Sequence, residues 1–133
     1  MQNRHLFEYA VIRVVPQVER EEFINVGVIL YCAPQKFLEC TFEMDEARLK
    51  ALNPNVDIEE VREHIHAFQQ ICKGGKEGGP IGKLSTAERF RWLTATRSTI
   101  VQASKVHPGL CESAFETLGR LHQQLVALSS NKK

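Results

Sequence analysis

The residues of this chain best suited to chemistry are polar side chains that interrupt apolar, strand-like runs. Tyr9-Ala-Val-Ile-Arg-Val-Val-Pro16 carries Arg13, and Glu22-Phe-Ile-Asn-Val-Gly-Val-Ile-Leu-Tyr31 carries Glu22, Asn25 and Gly27. An arginine, asparagine or glycine inside a buried strand either weakens it or demands a partner. If the two runs pair, Arg13 reaches Glu22 or Asn25 across the ladder and forms a hydrogen-bonded cluster, either a structural lock or the floor of a site. A second group, Arg89, Arg91, Trp92, Arg97 and Lys105, interleaves basic and aromatic residues. Stacking on Trp92 with arginine contacts to phosphate suits single-stranded nucleic acid. The alternative is a core Trp92 with solvated arginines. The candidate ligand-binding residues are therefore Arg13, Glu22, Asn25, Gly27, Arg97 and Ser98.

Other motifs are weaker. Gly74-Gly-Lys-Glu-Gly-Gly-Pro-Ile-Gly82 invites comparison with a phosphate-gripping loop, but a Walker pattern ending at Gly82-Lys83 would need glycine where Glu77 stands and Ser or Thr where Leu84 stands. His64 and His66 are two apart on a helical segment and point to different sides of it. His5, His107 and His122 have no acidic or cysteine neighbour at ligand spacing. No metal and no cofactor are expected. Ser98 and Cys111, with His107 as base, are the candidate nucleophiles, but no nucleophile elbow surrounds the serine. Triads assemble in space, so sequence spacing leaves catalysis open.

These residues need a scaffold, and the composition supplies one. The 133 residues have the length of a single domain, with 43% hydrophobic and 25% charged side chains. Such a chain buries roughly 65–70% of its unfolded surface and needs neither disulfide nor metal to fold. Seventeen basic against sixteen acidic residues give a formal charge of +1, which argues against a duplex-binding protein. Met1-Gln-Asn-Arg-His5 lacks the apolar core of a signal peptide, and no apolar run approaches the ~20 residues needed to span a bilayer. The four cysteines contain no C-x-x-C pair and read as small buried hydrophobes. A cytoplasmic location is expected.

The expected organisation is one domain over 1–133, sheet-rich from 5 to 44, helical from 45 to 73, a glycine-rich loop from 74 to 84, mixed helix and strand from 85 to 128, and a frayed tail from 129 to 133. Strands are expected from Phe7 to Val15, Phe23 to Cys32 and Lys36 to Glu43, the last two as a hairpin. Asp57 caps a helix through Lys73, and Ser85-Thr-Ala-Glu88 opens another as a capping box. A short strand over Ser98–Ala103, a turn at His107-Pro-Gly109 and a helix marked by Cys111 to Leu128 complete the pattern. The fold class is α+β, a small antiparallel sheet of three to four strands covered on one face by three to four helices.

The chain resembles the bacterial domain-of-unknown-function family numbered 3037. The resemblance lies in Tyr9–Pro16 and Glu21-Glu-Phe-Ile-Asn-Val-Gly-Val28, then Gly79-Pro-Ile-Gly82, Arg89-Phe-Arg-Trp-Leu-Thr-Ala95, Arg97-Ser-Thr-Ile-Val-Gln102 and His107-Pro-Gly-Leu-Cys111. It implies a stand-alone bacterial protein with no catalytic residues to transfer, encoded in many cases beside a HipA-like kinase, and so a protein partner. Three readings follow. The first is a protein-interaction accessory module that uses a sheet edge or helical face, the kinase being the partner the resemblance implies, with a homodimer also open. The second is a module for an anionic ligand or single-stranded nucleic acid, with Arg13, Asn25 and Arg97 converging. The third is a hydrolase or transferase with Glu22 as base.

Overall fold

Strand β1, His5–Val14, is a ten-residue run rich in Val, Ile, Phe and Tyr, and the rest of the chain is arranged around it. The computed structural model describes residues 4–127. The expected frayed tail, 129–133, and the last residue of the expected final helix, Leu128, lie outside them. Strand β2 (Ile24–Cys32) lies antiparallel on one edge of β1, and β3 (Phe37–Phe42) pairs with β2 through a short hairpin. The other edge of β1 is shared end to end. β4 (Val101–Ala103) takes Ile12–Val14, and β5 (His107–Cys111) takes His5–Tyr9. Ser104 bridges the gap between them. Its N–H donates to the Val11 carbonyl at 2.8 Å, and its hydroxyl accepts from the Val11 N–H at 2.9 Å.

The α+β class thus holds, with five strands in the described residues rather than three to four, two of them from the C-terminal half. His107-Pro-Gly109 is not a turn but the start of β5. Proline is tolerated on an edge strand, and Gly109 is required because a Cβ there would lie 2.5 Å from the Phe7 ring. The expected strand over Ser98–Ala103 is shorter, and the last helix begins at Ala114, leaving Cys111 on β5.

Helices cover both faces of the sheet, not one. On one side α1 (Glu46–Leu52), α2 (Ile58–Lys73) and α4 (Thr86–Thr94) bury Leu49, Val61, Ile65, Phe90 and Leu93 against Ala10, Ile12, Val14, Val26 and Ile29. On the other side α5 (Ala114–Leu125) sets Leu118 and Leu121 on Phe7, Val28, Leu30 and Cys32. Each fully buried Ile or Leu contributes on the order of 1.5–3 kcal/mol. The helix starts follow the sequence signals closely. The Asp57 side chain accepts from the Glu60 N–H, and Ser85 and Glu88 form a reciprocal capping box.

The glycine-rich segment, expected to lack regular structure, folds into a 3-10 turn (Lys76–Gly78) and a one-turn helix, α3 (Gly79–Gly82). Its backbone closes on itself, the Gly75 N–H donating to the Gly82 carbonyl at 2.8 Å. The Arg89 guanidinium rests on Gly74 and donates to the Leu84 carbonyl at 3.0 Å. No helix of the described residues is long and apolar enough to cross a membrane.

Two glycines test this packing in opposite senses. A Cβ on Gly27 would fall on the Thr41 carbonyl oxygen and 2.6 Å from the Phe42 ring. Gly27→Ala is expected to destabilise the protein by about 1–3 kcal/mol in chemical denaturation. Gly119 lies in α5 with nothing within 4 Å of its would-be Cβ, so Gly119→Ala is expected to stabilise by about 0.5–1 kcal/mol.

Candidate functional site

A β-bulge decides which polar side chains meet. The pairing of β1 with β2 runs in register from Glu8↔Tyr31 to Ile12↔Gly27 and then skips a residue, so that Arg13 faces Asn25. Val26 is the extra residue. The shift keeps Ile24 and Val26 in the core beneath α2 and α4 and turns Asn25 toward α5. Arg13 also pairs with Gln102 on β4. Gln102, Arg13 and Asn25 therefore form one row across three strands, on the face where α5 stops.

Asn25 holds the end of that helix. Its Nδ2 donates to the Leu125 carbonyl at 3.1 Å, one of the carbonyls that a helix C-terminus leaves without an internal donor. Its Oδ1 is buried and accepts no hydrogen bond from the described residues. Arg13, half-buried, lies with its guanidinium carbon 4.0 Å from the centroid of the Phe23 ring. Such a cation–π contact is worth about 0.5–2 kcal/mol. The Nε of Arg13 is buried without an acceptor, and among the described residues no acid forms an ion pair with it. The guanidinium opens on a cleft of about 310 Å³ walled by Val15, Val18, Glu21, Phe23 and Gln102. A second cleft of about 290 Å³ shares Phe23 and reaches Asn25, Arg48 and the last residues of α5.

The remaining candidate residues lie apart from this row. Glu22 is held by Arg20, Nε to Oε1 at 2.8 Å and Nη2 to Oε2 at 3.0 Å, and not by Arg13. The Arg20 fork holds the exposed Glu22 carboxyl below the usual range, the reverse of the raised pKa that a carboxylate base would show. Gly27 marks the close approach of β3 to β2. Arg97 stacks on Trp92, 4.5 Å from that ring's centroid, in a hollow with His64, Phe68 and Val101. Val101 packs in the core beneath α2 and α4, whereas Gln102, next in the strand, shares the α5 face with Arg13. Arg97 and Arg13 thus lie on opposite faces of the sheet and share no site. Ser98 is exposed in the segment between α4 and β4. Among the described residues no group of three or more His, Cys, Asp or Glu is placed to hold a metal.

The structure adds one cluster that sequence reasoning passed over. Thr41 Oγ1 lies 2.7 Å from His122 Nδ1, and His122 Nε2 lies 3.1 Å from Glu43 Oε1. Thr41 and Glu43 are alternate residues at the end of β3, which places them on the α5 face, and His122 lies one turn before the Asn25-bound carbonyl. With a neutral ring, the hydroxyl donates to Nδ1 and the Nε2 hydrogen goes to the carboxylate. Hydroxyl, imidazole and carboxylate stand in the order of an acyl-transfer relay, but order alone makes no nucleophile without a seat for the reacting carbonyl. What the contacts do is tie β3 to α5. The sequence signal was the alternation Thr41-x-Glu43. Its partner is far along the chain.

These features define an α+β domain with one antiparallel sheet between helical layers and a cleft where a half-buried polar row meets a helix end. The family model of a protein of unknown function, DUF3037, matches residues 9–126, and the chain belongs to that family. No curated protein and no solved structure matches it.

His122→Ala removes both side-chain contacts at once. It is expected to cost about 1–3 kcal/mol in urea unfolding, with earlier loss of amide-exchange protection in α5 than in α2.

Proposed function

We propose that this domain is a binding module that seats an anionic group, a phosphate or a carboxylate, on Arg13. The observation that carries the reading is the guanidinium itself, half-buried on Phe23, without an ion-pair partner among the described residues and facing a cleft of about 310 Å³. A planar cation with free N–H groups in a partly desolvated cleft suits bidentate hydrogen bonding to an oxyanion. Gln102 beside it spends one Nε2 hydrogen on the Thr99 carbonyl at 2.9 Å and keeps a second as a neutral donor. Glu21 stands at the rim and disfavours highly charged ligands, which points to a compact anion of low charge. The protein would do this in the cytoplasm of a bacterium, as the family resemblance and the unpaired cysteines support.

Titration of isotope-labelled protein with inorganic phosphate and, separately, with acetate is the test. Saturable shifts of the Arg13, Phe23 and Gln102 amides are expected, with binding weakened about tenfold or more in Arg13→Gln. Unmoved amides with both anions, or equal binding by a folded Arg13→Gln protein, would reject the reading.

A second reading is a protein-interaction module, with the HipA-like kinase as partner. Its support is the other end of β1, where Leu6 and Leu110 pair across the strands while 58% and 59% exposed, on an edge that β5 leaves open. Paired exposed leucines beside an open strand edge are features of a docking surface. Leu6→Asp with Leu110→Asp is expected to abolish binding to the purified kinase while Arg13→Gln leaves it intact. Kinase binding unchanged by the leucine pair would remove this surface.

A further inference from the structure

The four cysteines, unremarkable in the sequence, come together as two pairs. Cys40, on β3, packs against the buried Cys72 of the last turn of α2. Both line a cavity of about 400 Å³ with Leu38, Glu39, Gln69 and Lys73. Cys32 and Cys111 meet on the opposite face of the sheet, where both are buried beneath α5 and the Cys32 thiol donates to the Leu6 carbonyl at 3.5 Å. All four are free thiols. One pair lines a cavity and the other is buried in the core.

We propose that Cys40 and Cys72 are an oxidation site at which low-molecular-weight disulfides convert the folded protein to a Cys40–Cys72 disulfide, tying β3 to the end of α2. Cys40 is the half-exposed member and reacts first. Its thiolate attacks one sulfur of a disulfide such as oxidised glutathione, the sulfur–sulfur bond breaks and one glutathione thiolate leaves, giving a mixed disulfide on Cys40. Cys72 then loses its proton to solvent in the cavity and attacks the Cys40 sulfur, expelling the second glutathione. Two protein thiols are oxidised and one glutathione disulfide is reduced to two thiols.

The order matters because the Cys72 thiol is held well above its usual range, first by the Cys40 thiol beside it and then by burial. Burial leaves Cys72 the less reactive thiol of the pair. Once Cys40 carries glutathione, Cys72 beside it on the cavity wall is the thiol placed to resolve the mixed disulfide. Burial also pushes the Cys111 thiol up, with Cys32 adding to it, and both of those side chains are buried.

The experiment exposes the reduced full chain to excess oxidised glutathione under native conditions, then maps tryptic peptides. Each cysteine lies in a different tryptic peptide, Cys40 in 37–48 and Cys72 in 63–73. The expected result is loss of two of the four thiols, a disulfide joining those two peptides, and Cys32 and Cys111 still free. Cys72→Ser is expected to stop at one glutathione on Cys40, and Cys40→Ser to leave Cys72 unmodified. Four unreacted thiols, a wild-type protein that stops with glutathione on Cys40, or oxidation of Cys32 with Cys111 in preference would each overturn the proposal.

Discussion

One extra residue in β2 sets the chemistry of this sheet. Side chains on a strand alternate strictly between faces, so a pairing without the bulge at Val26 would send Asn25 into the core beneath α2 and α4 and Val26 toward the end of α5. The bulge reverses both outcomes. Val26 is buried among aliphatic neighbours, and Asn25 meets the helix carbonyl that it caps. Gly27 beside it lets β3 come close where the strand bends, because any Cβ would meet β3 backbone and the Phe42 ring. The bulge and the glycine thus act as one device, which aims a polar residue while keeping the hydrophobic count of the core intact.

The second helical layer depends on that aim. α5 is a single amphipathic helix on its face of the sheet, and polar side chains from the strands and their loops hold it at both ends. At its start, Gln35 accepts from the Ala114 N–H at 2.8 Å and donates to the Glu112 carbonyl at 2.8 Å, and Ser113 caps the first turn. At its finish, Asn25 takes the Leu125 carbonyl and His122 bridges Thr41 and Glu43. Hydrophobic burial gives the helix its affinity for the sheet without fixing where along the sheet it sits. Directional hydrogen bonds at each end fix that position.

What the sequence made legible were features written over a few consecutive residues. The Asp57 and Ser85 caps gave helix starts that the structure matches, because a cap is satisfied within its own turn. The first three strands were legible from their apolar runs. That the first two runs pair left Glu22 and Asn25 both open as neighbours of Arg13, and the bulge that sets Asn25 opposite it has no signal in the sequence. Contacts between distant segments were not legible. Pro108 and Gly109 carry turn signals locally, yet an open sheet edge accepts the proline and the Phe7 ring excludes any larger residue than glycine. His122 has no ligating neighbour in sequence and finds Thr41 and Glu43 only when α5 docks. Arg97 and Arg13 share a residue type and nothing nearby in sequence tells their faces apart, yet the sheet lies between them.

Arg13 is the least economical residue in this arrangement, and that is its interest. A leucine or methionine at this position near the C-terminal end of β1 would pack on Phe23 without leaving a buried guanidinium nitrogen unpaired, and such replacements of buried charge are commonly neutral or stabilising. The arginine instead keeps a desolvated donor that nothing in the described chain accepts, beside an asparagine oxygen in the same condition. Each unpaired buried polar atom costs on the order of 1–3 kcal/mol. A fold selected for stability alone would remove both, and nothing in the packing of α5 needs the Arg13 charge, since Asn25 and His122 already hold the helix end. In the proposed reading the missing acceptor is a ligand oxygen entering the cleft, where the guanidinium already stacks on the Phe23 ring. Preorganisation of this kind would lower the ordering cost of binding, and affinity for the anion would offset the stability that the unpaired donor forgoes.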